Sequence, residues 1–174
     1  TVFACAFCED EDNEGRISGH VHSGIPGSYS VLTKIFTDNS YISDLLVKQY
    51  AFDKNKFITH YQPTKIQASW TPHNRKQLKI LWAGRIAKQK RPDILIGIGE
   101  ALEADKFCID VYGTFQDGIS DALFNNVDSI TYKGSFDGIS SLPIDDYDLY
   151  LYTSENDGLP NILLEIGGKG LPII

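Results

Sequence analysis

The chain has 174 residues, with 16 Lys and Arg against 23 Asp and Glu, a formal net charge of −7 and a sequence pI ≈ 5.0. At this length roughly 70% of the unfolded surface is buried on folding, enough for a core that fills one large domain or one domain plus part of another. Hydrophobic residues at 42% and charged residues at 22% exclude a disordered chain or a fibre, and the acidic balance argues against a nucleic-acid partner.

The opening run VFACAFC reads as a buried strand, and it contains Cys5 and Cys8 at C-x-x-C spacing. Three cysteines are too few, and odd in number, for a disulfide framework, and no second Cys or His pair completes a zinc site. Buried thiols in a reducing cytoplasm are the expectation. A polar loop follows, with five acidic residues within Glu9–Glu14 and with His20 and His22 in GHVHSG. The acidic block is read as solvated rather than cation-binding, because like charges repel and rarely fold. The two histidines are read as polar loop residues, an acceptor-side role being the alternative.

Strand KIFTDN (Lys34–Asn39), helix SYISDLLVKQY capped by Ser40, and strand KFITHYQ (Lys56–Gln62) come next. Residues 63–77, with two prolines and little periodicity, are expected to link two α/β units, 1–62 and 78–174. KILWA (Lys79–Ala83) is a continuous apolar run closed by Gly84, as in a strand covered on both faces. Pro92 then opens a helix whose stripe is Ile94, Leu95, Ile98, Ala101 and Leu102. Strands are expected at Phe107–Gly113, Ser129–Gly134 and Tyr147–Ser154, with a short helix or turn at Ile119–Asn125. A helix over Leu159–Gly170 leads into LPII, a closing strand. A chain with no Met that ends inside a strand is expected to be a fragment. No apolar run approaches the roughly 20 residues of a membrane helix, and no signal-peptide pattern opens the chain.

Alternating strands and helices imply right-handed βαβ units, hence a Rossmann-like parallel sheet with helices on both faces, preceded by a partial α/β unit. Ligands of such sheets bind beyond the carboxyl ends of the strands. The candidate positions are therefore Gly84-Arg85, Gly113-Thr114, Gly134-Ser135 and Ser154 to Gly158. Arg85 and Lys90 bring two positive charges to the loop after the first strand, and Gly158, Leu159 and Pro160 lead a helix whose free N–H groups attract anions. Asp157 and Glu165 cannot hold phosphate, but carboxylates accept paired hydrogen bonds from vicinal hydroxyls of ribose or sugar. Singly, the cations read as surface charges, Asp157 as a helix cap and Glu165 as a solvated side chain. Together, each after its own strand, they suit a nucleoside diphosphate carrying a sugar.

Residues Lys79–Ile174 resemble the C-terminal, donor-binding domain of retaining glycosyltransferases of the GT-B fold, the glycosyl transferases group 1 class. The family has a strand, Gly-Arg, and a Lys five residues after the Arg, here Gly84, Arg85 and Lys90. Its second signature has two acidic residues with seven between them around Gly-Leu-Pro, here Asp157 and Glu165 in DGLPNILLE, then a glycine-proline turn, here KGLPII. The resemblance implies that Arg85 and Lys90 hold the diphosphate and stabilise the leaving group. Asp157 would face the donor sugar, with backbone amides of Gly158, Leu159, Pro160 and Asn161 bordering phosphate and sugar. Glu165 would hold the ribose, and Lys133 and Gly134 would lie at the base, with Gly84 and Gly113 at the neighbouring strand ends. The departure is Asp157, where the family usually has Glu, one methylene longer. Residues 34–63 resemble the last strand–helix–strand of the family's acceptor-binding domain, so 1–62 is expected to be its remnant.

The implied activity is transfer of a hexosyl group from a UDP- or GDP-type sugar to a sugar or lipid-linked hydroxyl, with retention. It implies polysaccharide or lipopolysaccharide synthesis in the cytoplasm, no prosthetic group and no metal, with peripheral membrane contact left open. A binding module that transfers nothing is the alternative. A dinucleotide-dependent dehydrogenase lacks its G-x-G-x-x-G, since Arg85 sits where those glycines belong. A nucleotide-sugar epimerase or a phosphorylase shares the phosphate-binding layout.

Overall fold

The computed structural model describes residues 3–6, 27–37, 39–61, 63–155, 157 and 160–174. The chain divides into two compact units, residues 1–63 with 156–161 and residues 64–155 with 162–174. Both are built on parallel strands, and the architecture is the expected α/β one.

The first unit holds β1 (Phe3–Ala6), β2 (Lys34–Thr37), α1 (Ser40–Tyr50) and β3 (Phe57–Thr59). Its sheet runs β1-β2-β3, every pair parallel. Leu32, Ile35, Ile42 and Leu46 form its buried core, edged by Tyr29 and Phe52, whose rings stack at 3.9 Å. The cap of α1 is Asn39, not Ser40: the Asn39 Oδ1 accepts from Ile42 N at 2.9 Å. Asn39 has the extended backbone that an N-cap needs, so its side chain meets the third amide and Ser40 becomes the first helical residue.

The second unit holds β4 (Leu78–Ala83), α2 (Pro92–Ala101), β5 (Phe107–Tyr112), β6 (Ile130–Gly134), β7 (Leu149–Tyr150) and most of α3 (Asn161–Lys169). Its parallel sheet has the order β6-β5-β4-β7, and Ile173 bridges Tyr150 beyond β7. The chain thus steps outward from β4 to β6 and returns to the other side of β4. Ile80, Trp82, Ile109, Val111, Ile130 and Leu151 pack on the α2 face, where Leu95 is buried. Leu81, Ala83 and Tyr150 pack on the opposite face with Ile166 of α3. Apolar side chains on both faces explain why β4 reads as an unbroken apolar run.

Several expected elements shrink or shift. The strand expected over 147–154 keeps two ladder residues, although Leu151 N still donates to Leu81 O at 2.8 Å and Tyr152 N to Ile174 O at 2.8 Å. LPII contributes one bridge, and the helix or turn at 119–125 is a single 3-10 turn, Asp121–Phe124. Pro160 stands one residue before α3 rather than inside it. The α2 stripe also differs: Ile94 and Ala101 are exposed, and the buried face runs through Leu95 and Gly99. Gly99 decides this, since a Cβ there would come within 2.6 Å of Ile130 Cδ1; the absent side chain lets α2 settle onto Val127 and Ile130.

Residues 64–77, expected as a linker, are fastened along the second unit. Gln67 N donates to Gly168 O at 2.7 Å, Ser69 N to Lys169 O at 3.1 Å, and Trp70 Nε1 to Tyr147 O at 2.7 Å. The strap ends at Asp148, whose side chain is 8% exposed. Its Oδ2 accepts from Lys79 N at 2.7 Å, its Oδ1 lies 3.1 Å from His73 Nδ1, and Arg75 Nε stands 3.6 Å away. Removing this carboxylate leaves a partly buried amide and two basic side chains without their acceptor. Asp148→Ala is therefore expected to lower stability by about 2 kcal/mol. Urea unfolding reads this out, and an unchanged midpoint would contradict the role given to Asp148. Among the described residues, no helix is long and apolar enough to cross a membrane.

Candidate functional site

In a parallel sheet every strand ends at the same edge, and a crevice opens there where the order of strands reverses. In the second unit that reversal lies between β4 and β7. The loops at this edge are held by backbone bonds that outlast the strands. Gly84 N donates to Tyr112 O at 3.0 Å, Ile86 N to Thr114 O at 2.8 Å, and Gln116 N to Ile86 O at 3.0 Å. Gly113 N donates to Gly134 O at 2.9 Å, and Tyr132 Oη to Gly113 O at 2.8 Å. A Cβ on Gly113 would stand 1.9 Å from Gly84 O, so the two loops touch backbone to backbone. Between β5 and β6 the register slips: Val111 pairs with Tyr132 and Tyr112 with Gly134, leaving Lys133 as the extra residue of a bulge.

Arg85 follows Gly84 and is exposed. Lys90 ends a 3-10 turn, Lys88–Lys90, after which Arg91 adopts a left-handed conformation (φ 50°) and Pro92 starts α2. Ties from both backbone and side chains fix this turn to the segment after β7, Ser154 Oγ donating to Gln89 O at 3.5 Å among them. Glu155 N donates to Gln89 O at 3.1 Å. Thr153 Oγ1 receives Trp82 Nε1–H at 3.0 Å and donates to Lys90 O at 2.6 Å. Lys90 Nζ lies 5.9 Å from the Tyr152 ring centroid, within cation–π range. Arg91 forks onto Asp93 at 2.9 and 2.7 Å, holding the Asp93 carboxyl below the usual carboxylate range, and its Nη1 is 3.6 Å from Glu155.

The structure thus places Gly84, Arg85, Lys90, Gly113, Lys133 and Gly134 along one edge of one sheet. Lys133 Nζ is 3.8 Å from Asp110, which also accepts from Tyr147 Oη at 2.9 Å; burial keeps that phenol protonated far above its ordinary range. Glu165 lies exposed on α3, whose buried positions are Ile166 and Gly168. Asp157, Pro160 and Asn161 fall in the first unit, Asp157 half-buried and Asn161 exposed. Gly158, Leu159, Cys8, His20, His22 and the acidic run Glu9–Glu14 lie outside the described residues, and Cys5 lies in β1. Thr153, Tyr152 and Arg91 escaped the sequence reading; their one signal was position, just past a strand or just before a helix-opening proline. Among the described residues no cluster of His, Cys, Asp and Glu is arranged to hold a metal ion.

No protein-family model matches the chain, and no curated protein does. Solved structures do. TarM of S. aureus, crystallised with fondaparinux, α-GlcNAc-glycerol and UDP, is 15% identical at a TM-score of 0.79, matching 98% of this chain and 36% of its own. The pneumococcal O-GlcNAc transferase GtfA, in complex with UDP and GlcNAc, is 19% identical at 0.74, with 98% and 36% covered. The lipopolysaccharide outer core galactosyltransferase WaaB is 20% identical at 0.66, with 81% and 42% covered. These neighbours are GT-B glycosyltransferases, and at such identities the likeness is one of fold. The chain spans 36% of the length of TarM and of GtfA.

Proposed function

We propose that this chain is part of a nucleotide-sugar glycosyltransferase, with residues 78–174 binding the donor and 1–62 belonging to the acceptor side. The observation that carries the reading is the tie between the Lys88–Lys90 turn and Thr153, in the segment after β7. It holds a cationic loop at the point where the strand order reverses, where a parallel sheet receives its ligand. Arg85 and Lys90 would grip the diphosphate and carry its charge as it leaves, Asp157 would face the sugar, and Glu165 would take the ribose hydroxyls. Gly158, Leu159, Pro160 and Asn161 would offer backbone amides, while Lys133 and Gly134 would border the base and Gly84 and Gly113 the strand ends. The UDP complexes of TarM and GtfA support a uridine nucleotide as the first ligand to try. The reaction proposed is hexosyl transfer to a sugar or lipid-linked hydroxyl with retention, in the cytoplasm, driven by positioning and leaving-group stabilisation.

A thermal-shift panel of UDP, GDP, ADP and their sugars tests it. A ligand present at a hundred times its Kd stabilises the fold by about 2.7 kcal/mol. UDP or GDP is expected to raise the midpoint where uridine or guanosine does not. Midpoints unmoved by every nucleoside diphosphate at millimolar concentration would end the proposal.

A further inference from the structure

The hydroxyl of Thr153 has no place in the proposed grip on the donor, yet it is the joint on which that grip turns. Its residue is 7% exposed, and both its hydrogen-bonding roles are filled. It accepts from the Trp82 indole, a rigid ring 2% exposed beneath the sheet edge, and donates to the carbonyl of Lys90. The second tie, Glu155 N to Gln89 O, lies one residue upstream on the turn. The αL residue Arg91 lies one residue downstream, where the turn meets α2. Lys90 thus sits between two pinned neighbours, with its own carbonyl pinned by Thr153, and its ammonium lies within cation–π range of Tyr152.

We infer that Thr153 is a positioning residue for Lys90: the Trp82–Thr153–Lys90 chain of hydrogen bonds fixes the ammonium where a diphosphate docks. The inference rests on the nucleotide-sugar reading above. A side chain of threonine's shape without the hydroxyl would leave the carbonyl of Lys90 unheld and the Trp82 N–H without its acceptor. The turn would then be free to drift, and small displacements of a positioned cation weaken its hold on an anion steeply.

Five proteins decide the matter: the wild type, Thr153→Val, Thr153→Ser, Lys90→Ala and the double variant that combines Thr153→Val with Lys90→Ala. Affinities for UDP and for uridine are measured by calorimetry and ligand-observed NMR, and each melting midpoint is recorded. Thr153→Val is expected to weaken UDP about tenfold and uridine less than about twofold. Thr153→Ser keeps the hydroxyl and should bind as the wild type does. In the Lys90→Ala background Thr153→Val should add less than about twofold, since the two residues act as one. Equal losses for UDP and uridine, additive losses in the double variant, or full UDP affinity in Thr153→Val would each overturn the positioning role while leaving the nucleotide reading intact. Should Thr153→Val not fold, Thr153→Ala is compared with Thr153→Ser on the same criteria. A wild type that binds no UDP and no GDP overturns the nucleotide reading first, and this inference with it.

Discussion

Arg85→Ala is expected to weaken UDP binding by about ten- to a hundredfold, with Lys90→Ala at the lower end of that range. The difference follows from the two side chains. A guanidinium presents a planar fork that meets two phosphate oxygens at once, whereas an ammonium is a compact, strongly hydrated point charge. Arg85→Lys should therefore recover only part of the loss. Both positions lie at a solvent-facing edge, so the loss should shrink as salt screens the cations of the wild type. Uridine, lacking phosphate, should bind all the proteins alike. If the two cations also carry the leaving diphosphate, turnover of a UDP-sugar should fall by roughly tenfold more than binding does. Titration of the nucleotide into each variant checks the binding, and radiolabelled sugar release checks the turnover. Both variants holding UDP as tightly as the wild type would remove the charges from the proposed site.

The parts of this fold that could be read from the sequence are those governed by neighbours along the chain. β4 and β5 announce themselves because both faces of each are covered, so LKILWA and FCIDVY carry apolar side chains almost without interruption. Parallel topology then puts the residues after those strands at a common edge, which is what makes Arg85 and Lys90 candidates without any contact in view. Long-range pairings left no such trace. Nothing local to Thr153 says that it will meet an indole 71 residues away and a carbonyl 63 residues away. Residues 63–77 read as a linker because Pro63 and Pro72 break periodicity, yet the order of 64–77 comes from carbonyls of Gly168 and Lys169. The α2 stripe holds at Leu95, Ile98 and Leu102, which pack into the core, and fails at Ile94 and Ala101 for the same reason. Period alone gives Ile94 and Ala101 the same standing as Leu95, and only the contact of Gly99 with Ile130 selects the face.

That contrast between local pattern and distant contact makes Gly113 the sharpest test of the packing at the sheet edge. Gly113→Ala is expected to cost roughly 3 kcal/mol or more, at the upper end of what overpacking does. The new methyl would sit 1.9 Å from the carbonyl oxygen of Gly84, and neither backbone can step aside. Gly84 is tied by its N–H to Tyr112, Gly113 by its N–H to Gly134 and by its carbonyl to Tyr132, and the next residues pair again at Ile86 and Thr114. Gly99→Ala makes the instructive comparison. Its methyl would also crowd, at 2.6 Å, but against side-chain atoms of Ile130 and Val127 rather than against backbone. Alanine within a helix also regains up to about 1 kcal/mol of backbone propensity, so its loss should be much the smaller. Urea unfolding of both variants reads the difference directly. The ligand provides a second readout: pushing the Gly84 carbonyl outward moves Arg85, the very next residue. UDP affinity should therefore fall in Gly113→Ala even where the protein is fully folded, and hold in Gly99→Ala. A Gly113→Ala protein as stable as the wild type would mean that the two loops do not meet as described, and the cationic edge built on that meeting would lose its foundation.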